Sequence, residues 1–193
     1  MSAPLVIITR PHEAGAPLAA ALRTAGFAPF EWPLLALEPE PEALDRLPAA
    51  LAGADWLVVV SPSAARLIAP ALARLPAGLR LAAVGRATAQ VLEQASGRPV
   101  LHPATGNDSE ALLALPQLAD VTGQHWLIIR GCGGRALLAD TLRARGAGVE
   151  LAEVYLPDLH PRSAHRKLQH WITIYPGLPG RLLSLGYHEG ERV

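Results

Sequence analysis

The residues best suited to binding an anion follow the apolar run Trp126–Ile129, near the middle of the sequence. The turn Gly131-Cys132-Gly133-Gly134 would present bare backbone N–H groups at the start of a helix, and Arg130 and Arg135 flank it. Backbone N–H groups, the positive end of a helix dipole and guanidinium groups all attract negative charge. The sequence therefore predicts a phosphate or carboxylate site at this turn.

Two related strand–helix–strand units are predicted to position such residues. Each has an apolar strand, an arginine, a turn and a helix that ends in Leu-Arg-x-x-Gly, which suits a glycine stop. The first unit has its strand at Leu5–Ile8 and its helix at Pro17–Thr24. The predicted elements of the second unit are Trp126–Ile129, Ala136–Ala144 and Val149–Tyr155. We expect one unit in each of two lobes.

Apolar strands and amphipathic helices alternate through the rest of the sequence. The predicted strands are Phe30–Leu37, Trp56–Val60, Leu81–Val84 and Val100–Leu101, and the predicted helices are Glu42–Ala52, Ala64–Leu75, Ala89–Gln94 and Glu110–Leu115. This alternation indicates an α/β fold with a parallel sheet, in which ligands bind beyond the carboxyl ends of the strands. The chemically capable residues at those ends are Arg10, Ser61, Ser63, Arg86, Thr88, Arg130 and Gly131.

Several of these residues have a structural alternative. Ser61 or Ser63 stands where a helix cap is favoured, and so do Thr88 and either Asp108 or Ser109. Tyr155 would be a half-buried residue of its strand if it had no chemical role. These alternatives stay open at the level of the residues.

The glycine turn also has other interpretations. Gly131 to Ala136 satisfies the G-x-G-x-x-A pattern of dinucleotide sites, with Glu150 roughly 20 residues further on, so an unrelated nucleotide-binding α/β module is one alternative. Cys132 at a helix N-terminus would have a lowered thiol pKa, although no histidine is suitably spaced to activate it. No pair of cysteines or histidines has the spacing of metal ligands, so no metal site is predicted.

Composition narrows the classes of protein. Basic and acidic residues balance to a formal net charge of +0, which argues against nucleic-acid binding. A single cysteine fits a reducing compartment. No apolar run approaches the ~20 residues of a membrane span, and the first residues lack the features of a signal peptide. We therefore expect a cytoplasmic protein with no nucleic-acid or membrane partner.

Several segments in order resemble the uroporphyrinogen-III synthase family, especially its bacterial branch. The similar segments are Ile8-Thr9-Arg10-Pro11, Trp56-Leu57-Val58-Val59-Val60-Ser61-Pro62, Ala82-Ala83-Val84-Gly85-Arg86-Ala87-Thr88-Ala89, Asn107-Asp108-Ser109-Glu110-Ala111-Leu112-Leu113 and the central stretch through Glu153-Val154-Tyr155. The resemblance covers roughly residues 5–156.

The resemblance implies two α/β lobes with parallel sheets flanked by helices, joined by a two-stranded linker. Residues 38–152 would form the continuous lobe, and residues 1–37 and 153–193 would supply the split lobe with the linker strands Phe30–Leu37 and Glu153–Pro157. The split lobe is expected to be incomplete. Short strands are plausible at Ile172–Tyr175 and Arg181–Leu185.

The resemblance also implies a reaction. Hydroxymethylbilane would lose water and close to uroporphyrinogen III with its last pyrrole ring inverted, through a spirocyclic intermediate and without a cofactor. Tyr155 matches the family's candidate proton donor. The substrate carboxylates would be held by Arg10, Ser61, Ser63, Arg86, Thr88, Arg130 and the turn Gly131, Cys132, Gly133 and Gly134. The expected protein is a monomer that receives its substrate from hydroxymethylbilane synthase.

Two residues depart from the family pattern. Val60 stands where a threonine is common, and Cys132 stands where a polar residue is common. Because the split lobe is short, the alternative to an active synthase is an inactive, truncated fragment that binds tetrapyrrole carboxylates without enforcing ring inversion.

Overall fold

The computed structural model describes residues 3–33 and 35–159. The described residues up to Leu37 belong to one compact unit, and Glu38–Pro157 form a second. The strands predicted at Ile172–Tyr175 and Arg181–Leu185 lie outside the described residues. No helix of the described ranges is long and apolar enough to cross a membrane.

The amino-terminal unit is a strand–helix–strand motif. Strand β1 (Leu5–Ile8) leads to helix α1 (His12–Thr24), and strand β2 (Ala28–Glu31) pairs with β1 in parallel. The helix begins at His12, whereas the sequence predicted Pro17. A proline is favoured in the first turn of a helix, but here Pro17 lies inside α1.

The strand predicted at Phe30–Leu37 is two strands. The first, β2, ends at Glu31, and β3 spans Leu35–Pro39. Pro33 lies in the gap between them, and a proline has no N–H to donate to a strand ladder, which explains the interruption.

A six-stranded sheet forms the core of the larger unit. Its further strands are β4 (Trp56–Val59), β5 (Arg80–Ala83), β6 (Val100–Leu101), β7 (His125–Gly131) and β8 (Gly148–Leu159). The order is β3-β8-β7-β4-β5-β6, and β4 pairs in parallel with both β5 and β7. The predicted parallel α/β architecture is therefore confirmed.

Helices cover both faces of this sheet. They are α2 (Pro41–Ala52), α3 (Pro62–Leu72), α4 (Arg86–Ser96), α5 (Ser109–Leu113) and α6 (Leu137–Ala144), with a 3₁₀ turn at Pro116–Leu118. Alternate strand residues face opposite sides, so Leu57 and Val59 pack on the first face, which α2, α3 and α4 cover. Trp56 and Val58 pack on the second face, which α5 and α6 cover. The strands are buried on both faces, which explains their continuous apolar runs.

The two predicted strand–helix–strand units share a helix ending. Gly26 and Gly146 have φ of 83° and 84°, the left-handed conformation that glycine adopts without a Cβ clash. In each unit the residue after the glycine donates its N–H to the backbone carbonyl of the leucine in the Leu-Arg-x-x-Gly motif. The distances are 2.9 Å to the Leu22 carbonyl and 3.1 Å to the Leu142 carbonyl. Both helices thus end in the same Schellman arrangement.

Candidate active site

The order of the large sheet creates a switch point between β4 and β7. From β4 the chain adds β5 and β6 on one side, and it then crosses to place β7 and β8 on the other. In open parallel sheets this is where a crevice forms beyond the carboxyl ends of the strands. Ser61 follows β4 at this edge, and Gly131 ends β7.

Ser61 is the N-cap of α3. Its Oγ accepts the N–H of Ala64 over 3.1 Å, so the predicted serine cap is confirmed at Ser61. Ser63 lies in the first turn of the same helix and is partly exposed. Both serines therefore lie at the switch-point edge.

A β-bulge aims Tyr155 at this edge. Arg130 is opposite Glu153, but the next residue of β7, Gly131, is opposite Tyr155, so β8 has one extra residue. In a regular strand Tyr155 would share the face of Glu153, two residues earlier. Because of the bulge, Val154 and Tyr155 both pack on the first face of the sheet.

The Tyr155 ring lies directly on Gly131. A Cβ at Gly131 would stand 2.4 Å from Cε2 and 2.8 Å from the hydroxyl oxygen of Tyr155, which no real Cβ tolerates. The Tyr155 hydroxyl then lies 3.4 Å from Ser61 Oγ. The phenol is half-buried, and its hydroxyl belongs to the same edge as the glycine turn.

Arg130 holds the turn after β7. Its Nε and Nη2 donate to Glu153 over 3.1 and 2.9 Å, and its Nη1 donates to the carbonyls of Gly134 and Arg135 over 2.9 and 3.2 Å. Four of the five N–H groups of a guanidinium are used in this way. Arg130 therefore has a structural role at this turn, and its predicted role as a ligand for substrate carboxylates stays a prediction.

The glycine turn does not open directly into a helix. The chain continues for two residues beyond Gly134, and α6 begins at Leu137 with Ala136 as an N-cap that makes no side-chain bond. Arg135 pairs with Glu110 over 2.7 and 3.1 Å. Both arginines that flank the turn therefore have partners within the chain, and the binding of an anion at this turn stays a prediction.

The turn still has polar backbone to offer. Gly133 and Gly134 are exposed, and Gly133 has a φ of 72°. Among the described residues no hydrogen bond uses the N–H of either glycine. Consecutive free N–H groups in a turn form a concave anion-binding surface.

Cys132 lacks the environment of a nucleophile. It follows β7, five residues before the helix, and its N–H donates to the carbonyl of Tyr155 over 2.9 Å. Partial burial, followed by the negative charge of Glu153, raises the pKa of the Cys132 thiol. The alternative of a thiol with a lowered pKa is therefore wrong.

Three further predicted residues occupy different settings. Arg86 is exposed as the first residue of α4, while Thr88, in the same first turn, is only 3% exposed. The N-cap of α4 is Gly85, so the alternative of Thr88 as a cap is wrong. Arg10 is exposed after β1 in the amino-terminal unit.

Asn107 is a residue that the site prediction did not include. A Cβ at Gly85 would stand 2.5 Å from Asn107 Oδ1, so the amide lies against the bare backbone that opens α4. Together with Asp108 and Ser109 it lines a cavity of about 190 Å³ that reaches Arg130 and Arg135. In the sequence, Gly85 between a predicted strand and a predicted helix was the feature that could have indicated a close contact at this position.

The described residues contain no group of three or more histidine, cysteine or acidic side chains placed to hold a metal ion. What the geometry assembles is hydroxyl groups and free backbone N–H groups around a phenol. Such a set can bind anionic groups and donate protons or hydrogen bonds to a bound molecule.

Comparisons with known proteins agree on one family. A family model described as uroporphyrinogen-III synthase HemD matches residues 16–171. The uroporphyrinogen-III synthase of Escherichia coli (strain K12) is 39% identical over 160 residues, which are 78% of this chain and 63% of that protein. The enzyme of that name from Proteus mirabilis is 36% identical over 156 residues, 78% of both chains.

The fold has a solved counterpart. A mutant uroporphyrinogen III synthase from the extremely thermophilic bacterium Thermus thermophilus matches with a TM-score of 0.56 and 24% identity, over 81% of this chain and 64% of that one. This likeness concerns the fold alone. The chain spans 63% of the length of the Escherichia coli relative.

Proposed function

The chain belongs to the uroporphyrinogen-III synthase family, and on this premise we propose that it closes hydroxymethylbilane to uroporphyrinogen III. The linear tetrapyrrole would lose water, and its last pyrrole ring would be inverted during closure. Because the family match runs through the glycine turn, an unrelated nucleotide-binding module is no longer required to account for that motif.

The observation that carries this proposal is the placement of Tyr155. Its hydroxyl lies at the switch-point edge, held between Gly131 and Ser61. The leaving hydroxyl of the bilane needs a proton or a strong hydrogen bond, and a phenol supplies either. The departing water would take the proton of the acid, and the ring carbon that forms the new bond later releases one, so the net change is the loss of one water.

The rest of the site would act by positioning. Unassisted, the bilane closes to the uninverted isomer I, so the protein must favour attack by the substituted carbon of the last ring. The free N–H groups of Gly133 and Gly134 support binding of an acetate or propionate carboxylate, as does the hydroxyl of Ser63. Exposed Arg86 is a further carboxylate ligand of this proposal, and the assignment of Arg10 to a substrate carboxylate is part of the same proposal.

Other parts of the proposal concern the surroundings of the reaction. The single cysteine favours a reducing compartment, and we place the protein in the cytoplasm on that ground. A monomer that takes its unstable substrate from hydroxymethylbilane synthase, and that works without a cofactor, completes the proposal.

The deciding experiment measures the isomer ratio of the product. Hydroxymethylbilane is generated in situ from porphobilinogen by its deaminase, the protein is added, and the oxidised uroporphyrins are separated. We expect an excess of isomer III that falls in Tyr155→Phe. Isomer I alone, from protein that is folded by circular dichroism, would contradict the proposal and favour a fragment that only binds tetrapyrroles.

A further inference from the structure

The contact between Ser61 and Tyr155 joins a helix cap to the proposed proton donor. Ser61 Oγ lies 3.4 Å from the Tyr155 hydroxyl oxygen. We infer that Ser61 is a positioning residue that donates its hydroxyl proton to Tyr155 and thereby turns the phenolic proton toward the substrate. This inference rests on the proposed function, since it assigns Ser61 a role in the same reaction.

The other bond of Ser61 favours this direction of donation. Its oxygen already accepts the N–H of Ala64 over 3.1 Å, so the hydroxyl proton points elsewhere. Among the described residues, the Tyr155 oxygen is the only acceptor within hydrogen-bonding distance for that proton. If Tyr155 donated instead, the serine oxygen would accept twice and its own proton would have solvent alone. If Ser61 donates to Tyr155, its oxygen still accepts the N–H of Ala64 and its own proton also has a hydrogen-bond partner.

The ring of Tyr155 is held in place without Ser61. The bulge fixes its face, and Gly131 forms the surface beneath it. The Tyr155 carbonyl accepts the N–H of Cys132 over 2.9 Å, and the carbonyl of Val154 accepts the N–H of Glu40 over 2.9 Å. Ser61 therefore controls where the phenolic proton points, while the backbone controls where the ring lies.

The bond from Ser61 should make the Tyr155 phenol a stronger hydrogen-bond donor. A phenol that accepts one hydrogen bond is polarised and donates more strongly through its own O–H. Tyr155 would then meet the leaving hydroxyl as a donor that is already oriented. Loss of Ser61 should reduce the rate of the chemical step and leave substrate binding nearly unchanged.

Substitutions at Ser61 can separate the cap from the contact. Glycine caps a helix almost as well as serine, so Ser61→Gly removes the hydroxyl with little loss of stability, while Ser61→Thr keeps both functions. We expect Ser61→Gly to lower kcat roughly fivefold to tenfold with KM unchanged, and Ser61→Thr to restore most of it. In the Tyr155→Phe background, Ser61→Gly should have no further effect. An equal loss of kcat in both backgrounds, or a change in KM alone, would overturn the inference.

A spectroscopic measurement tests the same contact without turnover. The Raman Fermi doublet of tyrosine has a high intensity ratio when the phenol accepts a hydrogen bond and a low one when it only donates. The chain has three tyrosines, so a difference spectrum against Tyr155→Phe isolates this residue. We expect an accepting phenol whose ratio falls in Ser61→Gly. A low intensity ratio, or a ratio that does not change in Ser61→Gly, would refute the contact even if isomer III is formed. A high ratio in a protein that yields only isomer I would instead refute the proposed function.

Discussion

The two strand–helix–strand units have the same framework and differ at the start of the helix. They align without a gap at a separation of 120 residues, the distance from Gly26 to Gly146 (146 − 26). The strand pairing follows the same shift, since Leu5 is opposite Ala28 and His125 is opposite Gly148. The units therefore share strand register and helix ending.

Their helices begin at different points. In the amino-terminal unit α1 starts at His12, whereas α6 starts at Leu137, the counterpart of Pro17. Residues 12–16 are helical, but their counterparts 132–136 form an open turn. The φ of 72° at Gly133 does not fit a right-handed helix. In the second unit these five residues lie outside the helix, and Arg130 donates to the carbonyls of Gly134 and Arg135. The open turn that results is the proposed binding surface.

The largest effect should come from removing the space beneath Tyr155. The counterpart of Gly131 in the amino-terminal unit is Pro11. Gly131→Ala would place a Cβ 2.4 Å from the Tyr155 ring and displace it. A displacement near 1 Å costs on the order of 100-fold in rate, so we expect that loss in the formation of isomer III.

A matched glycine variant controls for this substitution. Gly78 is exposed, has no positive φ, and has nothing within 4 Å of the position that an alanine methyl group would take, so Gly78→Ala should leave the rate unchanged. Rates and thermal unfolding are measured for both variants. A Gly131→Ala protein that makes isomer III at the normal rate would show that the ring position is irrelevant to the reaction.

The second effect concerns the two equivalent arginines. Arg130→Gln removes the bonds to Glu153 and to the turn. Because Glu153 is partly exposed and the bonds of one guanidinium are not additive, we expect a total loss of roughly 2–3 kcal/mol in the free energy of unfolding. Arg10 is exposed and bonds to no described residue. Arg10→Gln should therefore change stability by less than about 0.5 kcal/mol.

Urea denaturation measures both arginine variants, and KM for the bilane completes the comparison. We expect Arg10→Gln to raise KM, because the proposal assigns Arg10 to a substrate carboxylate. Equal stability losses in the two variants would contradict the division between a structural and a binding arginine.

The third effect tests the shared helix ending. Gly26→Ala and Gly146→Ala each place a Cβ on a left-handed residue, which costs about 1–2 kcal/mol. Gly146→Ala should be the more destabilising, because its Cβ would also lie 3.2 Å from Thr122 Oγ1, while nothing lies within 4 Å at Gly26. Thermal unfolding of the two variants gives the order directly. The reverse order would mean that the two endings are not equivalent.

The sequence predicted the parallel fold because buried strands and amphipathic helices leave strong periodic signals. It also narrowed two helix caps to adjacent candidates, Ser61 or Ser63 and Asp108 or Ser109, because a cap depends on residues three positions apart. In the structure Ser61 and Asp108 are the caps, and their side chains accept the N–H groups of Ala64 and Ala111. The start of α1 was missed because Pro17 is compatible with either a first turn or an interior position.

The misses at the candidate site have a different origin. The partners of Arg130 and Arg135 are Glu153 and Glu110, which lie 23 and 25 residues away in sequence, and no local pattern reports such pairs. The sequence also did not predict the β-bulge that places Tyr155 over Gly131, because the pattern of Val154 and Tyr155 is that of a regular alternating strand. Sequence thus placed Ser61, Gly131 and Tyr155 at the ends of strands, while contacts between distant strands determine which partners these residues have.

The smallest effect tests directly whether residues 132–136 are unwound. If they were helical like residues 12–16, Cys132 would stand at a helix N-terminus, which lowers a thiol pKa. In the open turn, partial burial and then the charge of Glu153 raise the pKa of Cys132. The folded thiol should therefore ionise at higher pH than the unfolded one, and its neutral form should stabilise the fold at low pH, with that contribution lost as pH rises through the raised pKa.

Alkylation is a clean assay of this difference because Cys132 is the only cysteine of the chain. We expect the pH at which the alkylation rate rises to be higher in the folded protein than in urea-unfolded protein. Glu153→Gln should move that pH downward, since it removes a negative charge that opposes the thiolate, while Asp55→Asn, on a residue that pairs with His125 at the other end of β7, should not. A folded thiol that reacts at lower pH than the unfolded one would mean that the turn is wound as in α1, and the contrast between the two units would then disappear.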